Sequence, residues 1–500
     1  MAVSVKESRR EYFVGGALQT QSWWLFGISR LDLIAGGIGL GGLVVFVSLR
    51  QPILGIVTFI LSAVVIVGSR IRTLAGKTTS EQASGFFTRL LLAWAGFNRH
   101  DGRGRPAAFG DMQVVAVEVS GHELGLVETG KGAGACLSAV FKLDPQTVGA
   151  GDWGSDDWRA AQMSRLVSRL GASSYPVEAI QIISRVYPTD FREWRKWQDA
   201  HLSSTSSELN QAISQVSDDV AGMTCSVETY LAVKIPMNRL AGWATSQGVR
   251  PQSREDLYEI AASVLDSLVA DAASFGLRPV KVLSPSGLQS LLRGWLDCSF
   301  FLDEPVVGHD DDWWPVAPWR VLPGDRGLVV DGQKGFWLHS AGVIKAGDWP
   351  AWTVHADLLA ELVRDVEPGQ IRTVSVTWVP MSQKYAMERA RASSAMAQAG
   401  QEQLNKKGSV GSGVEEDQQD AAHWLLRDLR SGASGVGVVA RVGVAGRDVS
   451  ALNRSRAGAD RIAVGAGMRI SWCDGDQVRG VVAGLPLGMG ARQIKQRGLF

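Results

Sequence analysis

Several places in this sequence carry residues of the kind that hold phosphate, metal or a reacting proton. Gly76-Lys77-Thr78-Thr79 has the closing residues of a phosphate-cradling loop, but such a loop needs a glycine five positions before its second glycine, and position 71 is Ile71. Gly130-Lys131-Gly132-Ala133-Gly134 lacks the Lys-Ser/Thr pair that would meet phosphate and magnesium, and reads as a hairpin turn. His309, Asp310, Asp311 and Asp312 offer oxygens to a hard cation without the spaced ligands and turn glycine of a calcium loop; they read as a solvated acidic loop beside Trp313 and Trp314. His122 with Glu123, His339, and His355 near Asp357 make no H-E-x-x-H, and the chain has no G-x-S-x-G. Cys136, Cys225, Cys298 and Cys473 have no close pair, so they form neither a zinc knuckle nor a disulfide framework and read as buried thiols. The spacing therefore points to no catalytic residue, no cofactor and no metal; a site assembled in space from distant residues stays open.

The elements that would have to position any site begin with two apolar runs. Residues 31–49, LDLIAGGIGLGGLVVFVSL, carry a single charge, Asp32, and residues 53–69, ILGIVTFILSAVVIVGS, carry none. At 1.5 Å per residue each run approaches the ~30 Å of a bilayer core, and only Arg50, Gln51 and Pro52 separate them. The expectation is a transmembrane hairpin with Leu33, Leu40, Val44, Ile53, Phe59 and Ile66 in lipid. Lys6, Arg9, Arg10 and Arg30 before it and Arg70, Arg72, Lys77 and Arg89 after it predict a multi-pass protein of the cell membrane with both termini cytoplasmic. Gly36, Gly37, Gly39, Gly41 and Gly42 either admit a close helix neighbour or reflect a chain with 57 glycines. Phe86, Phe87, Leu90, Leu91, Trp94 and Phe97 form an apolar face too short to span, suited to a headgroup surface or to the first helix of a soluble core.

With 500 residues, 45% of them hydrophobic, and a net charge of +1, the chain has material for several cores and no overall field for nucleic acid. The expected class is α+β: the hairpin, then cytoplasmic mixed α/β subdomains with a projecting helical arm. The divisions are residues 1–30, a cytoplasmic segment; 31–69, the hairpin; 70–106, a basic linker; 107–300, an α+β subdomain; 301–370, Trp-rich and loop-rich; and 371–500, a second α+β subdomain. Val227, Thr229, Leu231, Val233 and Ile235 alternate as in a strand. Ser155 to Gly171 frames one helix, and a second starts near Ser253 and closes at Gly276. Val374, Val376 and Trp378 mark another strand, ended by Pro380. Residues 382–407 are helical in pattern but poor in large apolar side chains, an arm that a helix over 414–429 returns along, the pair spanning 382–430. Most of the 18 tryptophans read as packing, with Trp313 and Trp314 also open to a partner surface.

This order resembles a family of actinobacterial conjugation proteins that look like the small two-helix inner-membrane subunit of type IV secretion systems fused to the N-terminal domain of their large ATPase. The resemblance covers nearly the whole chain. Its carriers are the basic start and hairpin, TCSVETYLAVKI (224–235), GFWLHSAGVIKAGDWP (335–350), TVSVTWVPMS (373–382) with the charged arm, and AGLPLGMG (483–490); none is a strict motif. It implies an oligomeric, bilayer-bound platform that docks a separately encoded motor ATPase and other channel subunits, with direct DNA contact left open. In the full-length ATPases a motor domain follows AGLPLG, so the resemblance implies that this chain does not hydrolyse ATP and transfers no catalytic residue. Arg389, Arg391 and Arg427 on the arm, with Trp313 and Trp314, are the expected partner contacts. A structural component of a type VII secretion complex is the alternative, because it pairs two N-terminal helices with an α+β body.

Overall fold

A computed structural model describes residues 23–25, 28–70, 112–130, 132–143, 153–171, 175–189, 191–201, 207–277, 279–306, 319–322, 326–345, 348–350, 358–406, 426–427, 429–430 and 435–489. The chain divides into two compact units, one within residues 19–98 and the other within residues 99–500.

In the smaller unit two short antiparallel strands, β1 (Trp23–Leu25) and β2 (Ile28–Ser29), precede helices α1 (Arg30–Ser48) and α2 (Pro52–Arg70). Arg50 at φ 58 turns the chain left-handed after α1, and the Gln51 amide donates back to the Phe46 carbonyl at 2.8 Å. The helices pack through glycine: a Cβ at Gly39 would lie 2.7 Å from that of Ser62, and one at Gly42 would lie 2.8 Å from the Thr58 methyl. Close approach, not composition, explains these two glycines.

The expected transmembrane hairpin does not stand. Among the described residues no helix is long and apolar enough to cross a membrane, which overturns both the membrane-spanning fold class and the multi-pass cell-membrane localisation. The physical reason is clearest in α1, where charged Arg30 and Asp32 sit inside the first turn and five glycines carry no apolar side chain; Arg70 ends α2. Of the side chains expected in lipid, Leu40, Val44, Ile53 and Phe59 are exposed, Ile53 by 76%; those of Leu33 and Ile66 lie outside the described residues.

The larger unit is mixed α/β, built, among the described residues, on one antiparallel sheet of 12 strands. Its strands are β3 (Met112–Val119), β4 (His122–Thr129), β5 (Cys136–Leu143), β6 (Ala179–Pro188), β7 (Cys225–Pro236), β8 (Pro279–Val282), β9 (Trp319–Val321), β10 (Leu328–Gly332), β11 (Gly335–Ile344), β12 (Ile371–Pro380), β13 (Val436–Gly446) and β14 (Ser471–Trp472). The main order is β3-β4-β5-β7-β6-β12-β13-β11-β10-β9, with β8 beside β5 and β14 beside β11. The join in the middle is β6 against β12, seven residue pairs from Arg372↔Val186 to Trp378↔Ile180. Through it, strands from residues 107–300, 301–370 and 371–500 share one set of hydrogen bonds.

Helices cover both faces. On one side lie α3 (Trp153–Arg169), α6 (Met237–Ser246) and α7 (Arg254–Ser274), where Leu166, Leu240, Leu265 and Leu268 meet Leu231, Val233 and Ile235 of β7. Helix α11 (Val449–Gly465) packs Leu452, Ala459 and Ile462 on Val374, Val442 and Val444. The opposite face carries α8 (Pro285–Leu296) and α12 (Gln477–Gly484), which bury Leu288, Leu291 and Val481 with Tyr230 and Ala232. Strand β7 is therefore buried on both faces, because layers of helix lie above and below it. Two further helices, α4 (Arg192–His201) and α5 (Ser207–Met223), lead into β7. Helix α7 begins as its sequence predicts: the Ser253 hydroxyl accepts from the Asp256 amide, the Asp256 carboxylate accepts from the Ser253 amide, and Gly276 past its end has φ +83.

Candidate functional site

The arm is built from the end of β12 outward. Pro380 closes the strand, the Met381 amide donates to the Gly435 carbonyl at 2.9 Å, and helix α10 (Gln383–Lys406) follows after the short helix α9 (Glu361–Arg364) earlier in the chain. Small residues form its root. Ala386 and Ala390 are buried with Leu429 of the returning segment, Met381, Met387 and Leu426 pack around them, and the Gln383 side chain donates to the Leu429 carbonyl at 2.7 Å. Gly435 is needed here, since a Cβ there would sit 2.3 Å from that of Ala386. Beyond the root, every described side chain from Arg391 onward is exposed or half-buried. Of the expected contacts, Arg391 and Arg427 are exposed on the two segments that meet at Ala390 and Leu429; the Arg389 side chain, Trp313 and Trp314 lie outside the described residues.

The residues singled out for chemistry are used otherwise. His122 and Glu123 open β4 after the two-residue turn Ser120-Gly121, both at positive φ, the geometry of a tight hairpin. Residues 132–134 form one 3-10 turn between β4 and β5. His339 is buried on β11 with Nε2 against the Leu296 carbonyl at 2.7 Å, and burial, reinforced by Arg185, pushes its pKa down to about 4. Burial raises the Cys298 thiol, against the opposing pull of Arg185, so it is no ready nucleophile. Gly76–Thr79, His309–Asp312, His355 and Asp357 lie outside the described residues. Among the described residues no group of three or more His, Cys, Asp or Glu side chains could hold a metal ion.

What sequence reasoning missed is a buried polar layer between the sheet and α12. Gln181, fully buried, donates through Nε2 to Ser375 Oγ at 2.7 Å and to the Ala483 carbonyl at 3.2 Å, and its Oε1 accepts from the Gly488 amide at 2.9 Å. Gln477 accepts from the Ala341 amide at 2.8 Å. Residues 483–489 of AGLPLGMG are thus an inserted part of the core, with Leu485 and Leu487 fully buried. A scan against models of known protein families finds no match, and a comparison with curated proteins finds none either.

Proposed function

We propose that this chain is a non-catalytic docking subunit of a conjugative, type IV secretion-like apparatus that transfers DNA and protein, and that it recruits a separate motor ATPase and neighbouring copies of itself. The observation that carries the reading is the arm: a helix of 24 residues, about 36 Å long, rooted on the central strand β12 through Ala386, Ala390 and Leu429 and solvated beyond them. A helix this poor in apolar side chains gains little by folding onto its own body, which suits it to charged contacts with a partner. The resemblance gives the class of partner, and its carriers TCSVETYLAVKI, GFWLHSAGVIK and TVSVTWVPMS contribute β7, β11 and β12, the framework on which the arm is mounted.

The test is co-purification of the full chain with a separately encoded motor ATPase of that class. Reversing charge at Arg389, Arg391 and Arg427 together should abolish recovery of the ATPase while the circular dichroism spectrum of the chain still shows a folded protein. Undiminished recovery removes the arm from the contact, and ATP turnover by the isolated chain ends the non-catalytic reading.

A further inference from the structure

Between the sheet and α12 lies a cavity of about 30 Å³, lined by 16 residues that include Arg185, Arg441, Thr373 and Ser375 and no acidic residue. The register explains why the two arginines share it. Arg185 of β6 stands opposite Thr373 of β12, and Thr373 opposite Gly443 of β13. Two residues along the same strands, Ser375 stands opposite Arg441, so by the period of two all four side chains lie on the face that α12 covers. Gly443, between Thr373 and Ala341, contributes no side chain to the lining, and a Cβ there would meet only Thr373 within 4 Å.

Arg185 is only 3% exposed and makes no ion pair among the described residues. Its terminal nitrogens donate to neutral acceptors: the Trp295 carbonyl at 2.9 Å, the Gly294 carbonyl at 3.4 Å and Cys298 Sγ at 2.9 Å. The guanidinium lies 4.6 Å from the Trp295 ring centroid, and its Nε has no hydrogen-bond partner. The nearby carboxylates are committed elsewhere. Glu228, opposite Arg185 on β7, takes Lys142 at 2.7 Å and the Tyr230 hydroxyl. Asp297 accepts from the Ser299 and Gln333 amides and does not line the cavity. Burying a cation without a counter-charge costs several kcal/mol, so an Nε without a protein acceptor beside an acid-free cavity calls for an anion from outside the chain.

We propose that this cavity binds one small monatomic anion, of the size of chloride, between Arg185, Arg441 and the hydroxyls of Thr373 and Ser375. The volume admits such an ion: about 30 Å³ exceeds the ~10–15 Å³ that one water needs. Donor chemistry agrees. Ser375 Oγ accepts from Gln181, which leaves its own proton to give, and Arg185 Nε is a donor already inside. The inference is independent of the docking function and would hold if that reading failed.

The experiment is thermal unfolding of the full chain at pH 7.5 and fixed ionic strength, replacing sodium gluconate stepwise by sodium chloride or bromide, together with crystals grown in bromide. A saturable rise in Tm with both halides and an anomalous bromide peak within hydrogen-bond reach of Arg185 Nε support the site. Gly443→Ala should abolish the halide response while the protein still folds, because the added methyl meets only Thr373, at an ordinary 3.5 Å, and fills the space. Arg185→Met should abolish it as well. The same Tm in gluconate and chloride, or a cavity that holds only water in bromide crystals, overturns the proposal, as does a response that Gly443→Ala leaves intact.

Discussion

Replacing Gln181 by Leu tests whether the 483–488 segment is part of the fold. The substitution keeps side-chain volume and removes three hydrogen bonds at a fully buried position. Ser375 can turn its hydroxyl elsewhere, whereas the Ala483 carbonyl and the Gly488 amide are backbone groups that cannot move to water while Leu485 and Leu487 stay buried. Each buried group left unsatisfied costs roughly 1–3 kcal/mol, so the two together should lower stability by about 2–5 kcal/mol. Part of that cost is avoidable if the segment detaches, and the assay must see both outcomes. Urea unfolding followed by fluorescence should show a lower midpoint, and hydrogen exchange read by mass spectrometry should show faster labelling of peptides covering residues 483–488 than of those covering β7. A variant with the wild-type midpoint and wild-type protection over 483–488 would refute the argument that Gln181 holds this segment.

Two further perturbations follow from buried charge. Lys234 and Glu178, both buried, pair at 3.1 Å, and Lys234→Met alone should cost roughly 3–5 kcal/mol by removing the cation that faces this buried carboxylate, with Glu178→Gln added to Lys234→Met recovering part of the loss in urea unfolding. His339, at about 4 when folded against 6.5 unfolded, binds its proton more readily in the unfolded chain, so its contribution is full above pH 6.5 and is lost as pH falls toward 4; the span amounts to ~3 kcal/mol. Unfolding midpoints at pH 7.5 and 4.5 should therefore differ less in His339→Gln, whose amide can still donate to the Leu296 carbonyl, than in the wild type; equal differences would remove His339 as the cause.

Local signals carried a good part of the fold. The helix from Ser253 to Gly276 is legible because its cap, its apolar spacing and its terminating glycine lie within one short stretch, and α10 over Gln383–Lys406 follows the charged pattern of the arm closely. The alternation over 227–235 reveals β7, but not that both its faces are covered, since its partners β5 and β6 and the overlying helices come from elsewhere in the chain. The apolar runs over 31–49 and 53–69 are helical as their composition suggests, yet apolar composition alone does not make a span, and among the described residues no helix is long and apolar enough to cross a membrane. The polar layer was invisible for a different reason. In AIQIISRVYP, Gln181 and Arg185 look like the solvated positions of a half-buried strand, and what buries them, Ser375, Ala483, Trp295 and α12, lies about 110 to 300 residues away.

The pairing of β6 with β12 has a consequence for how the chain is made. Gln181 and Ser375 are 194 positions apart, so at a synthesis rate of roughly 5–20 residues per second the ribosome needs on the order of 10–40 s after releasing the one before it releases the other. Throughout that interval β6 presents an unpaired edge with Ile180, Ile182 and Ile183 beside it, a template for strands of neighbouring nascent chains. Expression of fragments ending near residue 300 should accordingly give inclusion bodies, and supplying residues 371–489 in the same cell should draw them back into solution.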